Sequence, residues 1–186
     1  RGGIYHDVAG ADFRDFLAGK LARLPGEQAT LTDFADHLST IFPEVRLRRY
    51  LEMRGADAGP RPFLAALPAL FTGILYEPSS LDAAFDLVKG WSAELRQNLR
   101  NDVPRLGLAA SIHGRGLREV AAEVLQIARA GLAKRNRRDG RGFDETIFLA
   151  PLDAVLADGA EAERLVKKFK TKWAGSITPC FEECAY

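Results

Sequence analysis

Glu52 and Arg54 stand two apart in RLRRYLEMRGAD, the stretch from Arg46 to Asp57. In an extended chain, residues two apart project from one face, about 6.5–7 Å from each other. A carboxylate is a hard oxygen ligand of the kind Mg²⁺ takes. A guanidinium at that distance can fork onto a phosphate oxygen held by the same metal. The pair therefore has the chemistry to hold a metal-bound phosphoryl group during transfer. The plainer alternative is a solvated salt-bridge face on a strand, and spacing alone favours it, because short motifs match by chance. The stretch runs out into GADAGP, where Gly55 and Gly59 allow a sharp turn or a close approach to a ligand. Pro60 and Pro62 support the turn, and Asp57 reads more readily as a turn residue than as a ligand contact.

The other candidates are weaker. KRNRRDGR, Lys134 to Arg141, is a basic run. It follows a long helical pattern, where cations suit the helix C-terminus, and it has no interleaved aromatic residue to stack on a base. It reads as a solvated helix end. His6, His37 and His113 are isolated and lack metal-ligand spacing. Cys180 and Cys184 are too few for a structural zinc site by themselves and read as reduced thiols packed on a helix.

Several elements must position these residues. From Val45 to Arg54, Val45, Leu47, Leu51 and Met53 alternate with Arg46, Arg48, Tyr50, Glu52 and Arg54, and Arg49 is the single break. That pattern predicts one strand, 45–54, with an apolar and a charged face. GIYHDVAG is a candidate for a short second strand. The rest reads as helical. DFRDFLAGKL stops near Gly19, and TLTDFADHLSTIF starts with Thr30 and Asp33 as a capping box and ends by Pro43. PFLAALPALFTGILY is a buried helix holding Pro68, too short for the roughly 20 residues of a membrane span. Ser79 or Ser80 caps LDAAFDLVKGW, and Ser92 caps AELRQNLRND, which ends before Pro104. Leu117, Val120, Ala121, Val124, Ala128 and Leu132 share one face of a long helix, and Leu165, Phe169 and Trp173 recur four apart. Thr178 and Pro179 open a last short helix. A strand with no partner leaves backbone groups and an apolar face unsatisfied, so its partners are expected in sequence beyond this chain.

The chain has 186 residues, enough for one domain with a core, and 47% of them are hydrophobic, which places it among globular chains. A net charge of +1 gives no global argument for nucleic acid or for a membrane surface. Two cysteines fit a reducing compartment. RGGIYHDVAG lacks the apolar segment of a signal peptide, so the expected location is cytoplasmic. Met53 is the one methionine, and the chain is therefore expected to be processed or to be part of a longer protein.

FPEVRLRRYLEMRGAD resembles the glutamate–cysteine ligase family, in its plant and proteobacterial branch. The resemblance runs nearly the whole chain, through DFLAGKLARLPGE, TDFADHLSTIFPEVRL, LPALFTGILY, LDAAFDLVKGW, NDVPRLGL, REVAAEVLQIARAGL, DETIFLAPL and FEECAY. It implies an ATP-dependent ligase that phosphorylates the side-chain carboxylate of glutamate. The amine of cysteine then attacks the acyl phosphate to give γ-glutamylcysteine, the first step of glutathione synthesis. It implies an α+β fold, mostly helical in this portion, forming the C-terminal part of a curved, glutamine-synthetase-like antiparallel sheet. Residues 1–186 would be a single C-terminal portion of a larger catalytic domain, with the missing N-terminal part of the same protein as partner. By motif match Glu52 would be a Mg²⁺ ligand and Arg54 the catalytic contact to the transferred phosphoryl group. Arg48 and Tyr50, with Arg54, would contact ATP. The other expected partners are glutamate and cysteine, with no nucleic acid and no membrane. Family members often read GADGGPWRRLCALP where this chain has GADAGPRPFLAALP, so Ala58, Arg61, Pro62, Phe63 and Ala65 depart from the pattern. The family's regulatory cysteine is not carried over to Ala65. The 186 residues alone offer one strand carboxylate, so alone they are expected not to make γ-glutamylcysteine. The alternative is a non-catalytic helical interaction or oligomerisation module derived from such a ligase.

Overall fold

The computed structural model describes residues 2–57 and 59–185. They cluster into two compact units, Arg1–Ala56 and Asp57–Tyr186. The division falls in GADAGP, where the sequence signals a turn rather than a boundary.

In the first unit, α1 (Phe13–Leu17) is capped by Asp12, whose side chain accepts from the Arg14 N–H, and it stops at Gly19, with φ of +68°. The expected capping box opens α2 (Leu31–Ser39). The Thr30 N–H donates to Asp33 Oδ2 at 2.7 Å, and the Asp33 N–H donates to Thr30 Oγ1 at 3.2 Å. Phe13 joins the two helices. Its ring stacks on His37 at 4.2 Å and tilts against Phe34 at 6.0 Å. His37 is thus a packing residue.

The stretch 45–54 is not one strand. It folds back on itself as an antiparallel hairpin of β1 (Val45–Leu47) and β2 (Leu51–Met53), with Val45 opposite Met53, Arg46 opposite Glu52 and Leu47 opposite Leu51. The physical reason lies in the break at Arg49. A single strand would place that guanidinium among Leu47, Leu51 and Met53, whereas a turn over Arg48–Arg49–Tyr50 leaves it in water. The alternation is symmetric about Arg49, so folding there preserves both faces. The strand therefore has a partner within the chain, contrary to expectation. GIYHDVAG carries no strand. Leu21 is the buried hydrophobic side chain among the described residues of this unit, while Leu31, Ile41, Phe42, Leu47 and Leu51 are exposed. A 56-residue unit with so little buried apolar surface lacks the driving force to stand alone.

The second unit has a core. Helix α3 (Phe63–Leu75), with Pro68 inside it, packs on α6 (Leu117–Arg135), and Leu149 and α7 (Ala150–Asp158) close over them. Ala69, Leu125, Ala128, Leu132 and Leu149 form the centre. The crossing is close because it is made by small residues. A Cβ on Gly73 would overlap the Ala128 carbonyl, and one on Gly131 would overlap the Gly73 carbonyl and Ser80 Oγ. Only a stripe of α3 is buried, at Ala66, Ala69 and Gly73, while Leu64 and Leu75 are exposed, so the helix is not buried all round as its apolar run suggests.

Helix α4 (Pro78–Val88) begins earlier than expected. Pro78 sets the first turn, and the cap is Glu77, which accepts from the Ser80 N–H. Ser80 instead faces inward and donates to the Ile127 carbonyl at 3.2 Å. Ser92 caps α5 (Ala93–Leu106) as expected, but the helix runs through Pro104. Proline there removes one intrahelical bond near the end, and the Gly107 N–H still closes onto the Val103 carbonyl. A second hairpin, β3 (Ser111–Ile112) and β4 (Arg115–Gly116), turns at His113 and Gly114, both with positive φ. Helix α6 ends where Asn136 adopts the left-handed conformation. Helices α8 (Glu161–Lys170) and α9 (Thr178–Glu183) follow, and Trp173 lies buried beyond α8 rather than on it. The chain is mostly helical with small antiparallel sheets, the α+β class expected. No helix among the described residues is long and apolar enough to cross a membrane.

Candidate functional site

The charged face of the first hairpin gathers the motif residues. Arg46 and Glu52 are opposite each other across the strands, and Arg46 Nε donates to Glu52 Oε2 at 2.6 Å. Arg48 Nε lies 3.8 Å from the same oxygen. The Glu52 carboxyl is held below the usual carboxylate range. The hydrogen bond from Arg46 is the main cause, partial desolvation opposes it, and the charges of Arg46, Arg54 and Arg48 add to it. Three guanidiniums thus surround one carboxylate.

Arg54 is half-buried. Its N–H donates to the Glu44 carbonyl at 2.8 Å, which continues the hairpin pairing past Met53. Its guanidinium lies 5.7 Å from the centre of the Phe42 ring. Arg48 and Tyr50 sit in the turn, where the Arg48 N–H donates to the Tyr50 carbonyl at 2.9 Å. With Arg46, Leu47 and Arg49 they line an open hollow of about 570 Å³. Tyr50 is exposed and the hollow is shallow, so the turn offers an open surface rather than an enclosed pocket.

All four expected site residues, Arg48, Tyr50, Glu52 and Arg54, lie on this one hairpin. Arg46, which holds Glu52, and Phe42, which backs Arg54, were not expected there. Arg46 was legible in principle, because a fold symmetric about Arg49 must set it opposite Glu52. Phe42 carries no such signal.

Among the described residues, no three His, Cys, Asp or Glu side chains converge to hold a metal ion. Glu52 is already engaged by Arg46. Within this chain the cluster fits phosphate oxygens and does not by itself make a Mg²⁺ site.

The remaining candidates keep plain roles. Most side chains of the basic run have local polar partners. Lys134 approaches Glu77 at 3.8 Å, Arg135 pairs with Glu145 at 3.3 Å, Arg138 donates to Asn136 Oδ1 at 2.8 Å, and Arg141 pairs with Asp139 at 3.3 Å. His6 is exposed, and His113 serves the β3–β4 turn. Both cysteines are free thiols, as expected. Of the departures from the family pattern, Ala58 lies outside the described residues.

The model of glutamate-cysteine ligase family 2 matches residues 3–183. Glutamate–cysteine ligase A, chloroplastic, of Oryza sativa subsp. indica is 46% identical over 183 residues, covering 98% of this chain and 36% of the rice protein. The chloroplastic glutamate–cysteine ligases of Solanum lycopersicum and Arabidopsis thaliana are 48% and 46% identical, again over 98% of this chain and 34% of each relative. The chain spans about a third of the length of the curated relatives it matches. The expectation of a cytoplasmic location is corrected by these names, which are those of chloroplastic proteins.

Proposed function

The chain belongs to glutamate-cysteine ligase family 2, and from that premise we propose that it is the C-terminal portion of an enzyme joining glutamate to cysteine at the expense of ATP. The side-chain carboxylate of glutamate takes the terminal phosphoryl group of ATP. The cysteine amine attacks the resulting acyl phosphate, the new C–N bond forms, and phosphate leaves. The product is γ-glutamylcysteine, the first intermediate toward glutathione.

The observation that supports this reading is the set of guanidiniums around Glu52. Phosphoryl transfer asks the protein for positioning and for compensation of charge on the phosphoryl oxygens. Arg54, backed by Phe42, is the proposed contact to the group in transfer. Arg48 and Tyr50, in the open turn, are the proposed contacts to ATP. Arg46 orients Glu52. A bound Mg²⁺ would supply Lewis-acid neutralisation of the phosphates. Glu52 would contribute one ligand through Oε1, the oxygen that Arg46 does not hold, with the others expected from the rest of the protein.

The same reading gives the hairpin its place in the fold. Its apolar face, Val45, Leu47 and Leu51, is exposed, and a hairpin with an open apolar face is marginal until further strands or helices join it. We propose that it belongs to a larger, glutamine-synthetase-like antiparallel sheet built mainly by the rest of the protein.

The test is ADP release and γ-glutamylcysteine formation, both dependent on glutamate and cysteine. The full-length protein carrying these residues is expected to show both, and the 186 residues alone neither. No turnover by the folded full-length protein would favour the non-catalytic module. Turnover by the 186 residues alone would refute the claim that the site is completed elsewhere.

A further inference from the structure

Cys180 lies in α9, and Cys184 is the residue that caps its C-terminal end. The Cys184 N–H donates to the Cys180 carbonyl at 3.0 Å, so the helical turn between them is closed. Residues four apart on a closed turn have Cβ atoms about 5–6 Å from each other on the same face. Both side chains are thiols, Cys180 partly buried and Cys184 exposed.

The turn is pinned in place. Glu183, beside Cys184, accepts from Lys172 at 2.7 Å, from Trp173 Nε1 at 3.0 Å and from Lys168 at 3.1 Å. Cys184 also lines a hollow of about 460 Å³ with Arg61, Glu161, Leu165 and Lys168. Cys184 is therefore reachable from a hollow whose wall also carries Arg61, Lys168 and Glu161.

We propose that Cys180 and Cys184 form a two-thiolate site for a soft monovalent metal ion, Cu⁺ being the chemical type. Ligand number selects the ion. Among the described residues no third His, Cys, Asp or Glu joins the pair to make a metal-binding group. A structural Zn²⁺ site takes four ligands. Two thiolates alone suit a soft ion satisfied by two sulfurs. On binding, each sulfur forms one bond to the ion and loses one proton to solvent. Two S–H bonds break, two metal–sulfur bonds form, and no electron is transferred. The bound unit carries one net negative charge, which Lys168 is placed to offset. This site is independent of the ligase chemistry on the hairpin.

The experiment is an anaerobic titration of the reduced protein with Cu⁺ held in a chromophoric chelator. The expected result is one Cu⁺ per chain, with both thiols lost to alkylation and affinity rising with pH. Cys180→Ser and Cys184→Ser should each weaken binding by about a hundredfold or more, the loss expected when a two-point attachment becomes single. Both variants lie at the terminal helix, and circular dichroism checks that they fold. Wild-type affinity in either variant would overturn the proposal, as would two independent Cu⁺ per chain. Displacement by equimolar Zn²⁺ would also overturn it.

Discussion

Arg46 and Glu52 face each other across the first hairpin, joined by a 2.6 Å hydrogen bond from guanidinium to carboxylate. The bond sets the carboxylate of the hairpin's charged face among cations. It also fixes a direction of titration. A carboxyl held below its ordinary value in the folded state stabilises the fold above the unfolded-state value and loses that contribution as pH falls through the folded value. Arg46→Ala should therefore raise the Glu52 pKa toward the ordinary 4.5, and carbon-detected NMR titration of the Glu52 carboxyl reads it. An unchanged midpoint would mean that Arg46 does not govern the carboxylate.

The close helix crossing in the second unit predicts a sharp difference between glycines. Gly131→Ala and Gly73→Ala each force a methyl group into a neighbouring backbone carbonyl. Each should cost about 1–3 kcal/mol, as overpacking a tight core does, lowering Tm by roughly 2–4 °C per kcal/mol. Gly90→Ala meets nothing within 4 Å and should leave Tm unchanged or slightly raised. Thermal denaturation of the three variants checks this, and equal Tm values would contradict the packing account.

The C-terminal turn gives a pH prediction. Hydrogen bonds from Lys172, Trp173 and Lys168 lower the Glu183 carboxyl from 4.5 to about 2. The shift is downward, so the cross-link is intact above 4.5 and is lost as pH falls toward 2. The Trp173 Nε1–H signal in NMR should move over that window, and Glu183→Gln should abolish the movement. A signal that titrates near 4.5 would show that the three donors do not act together.

Alternation placed Arg48, Tyr50, Glu52 and Arg54 on one charged face, but nothing in the sequence announced Phe42 beside Arg54. What alternation alone could not settle was whether 45–54 runs on or folds back, since folding about Arg49 keeps both faces intact. Helix starts governed by a side-chain cap, such as Thr30 and Ser92, were read correctly. The start of α4 was missed because Pro78 and Glu77 outcompete the neighbouring serines, and Ser80 is drawn inward to the Ile127 carbonyl by tertiary packing. The β3–β4 hairpin was missed because His113 takes a positive φ usually left to Asn, Asp or Gly. The Gly73–Gly131 contact joins residues far apart in sequence, and no local pattern announces it.

The central claim is that Arg54 grips the phosphoryl group as it moves, and one measurement reaches it most directly. It is the kcat of Arg54→Lys beside its KM for ATP, in the folded full-length protein. Lysine keeps the charge but loses the planar fork. A contact made best in the transition state lowers kcat when removed and leaves ground-state affinity nearly intact. The account predicts a fall in kcat of about a hundredfold or more, with KM for ATP little changed. A kcat close to that of the unaltered protein would contradict it and return the hairpin to a solvated salt-bridge face.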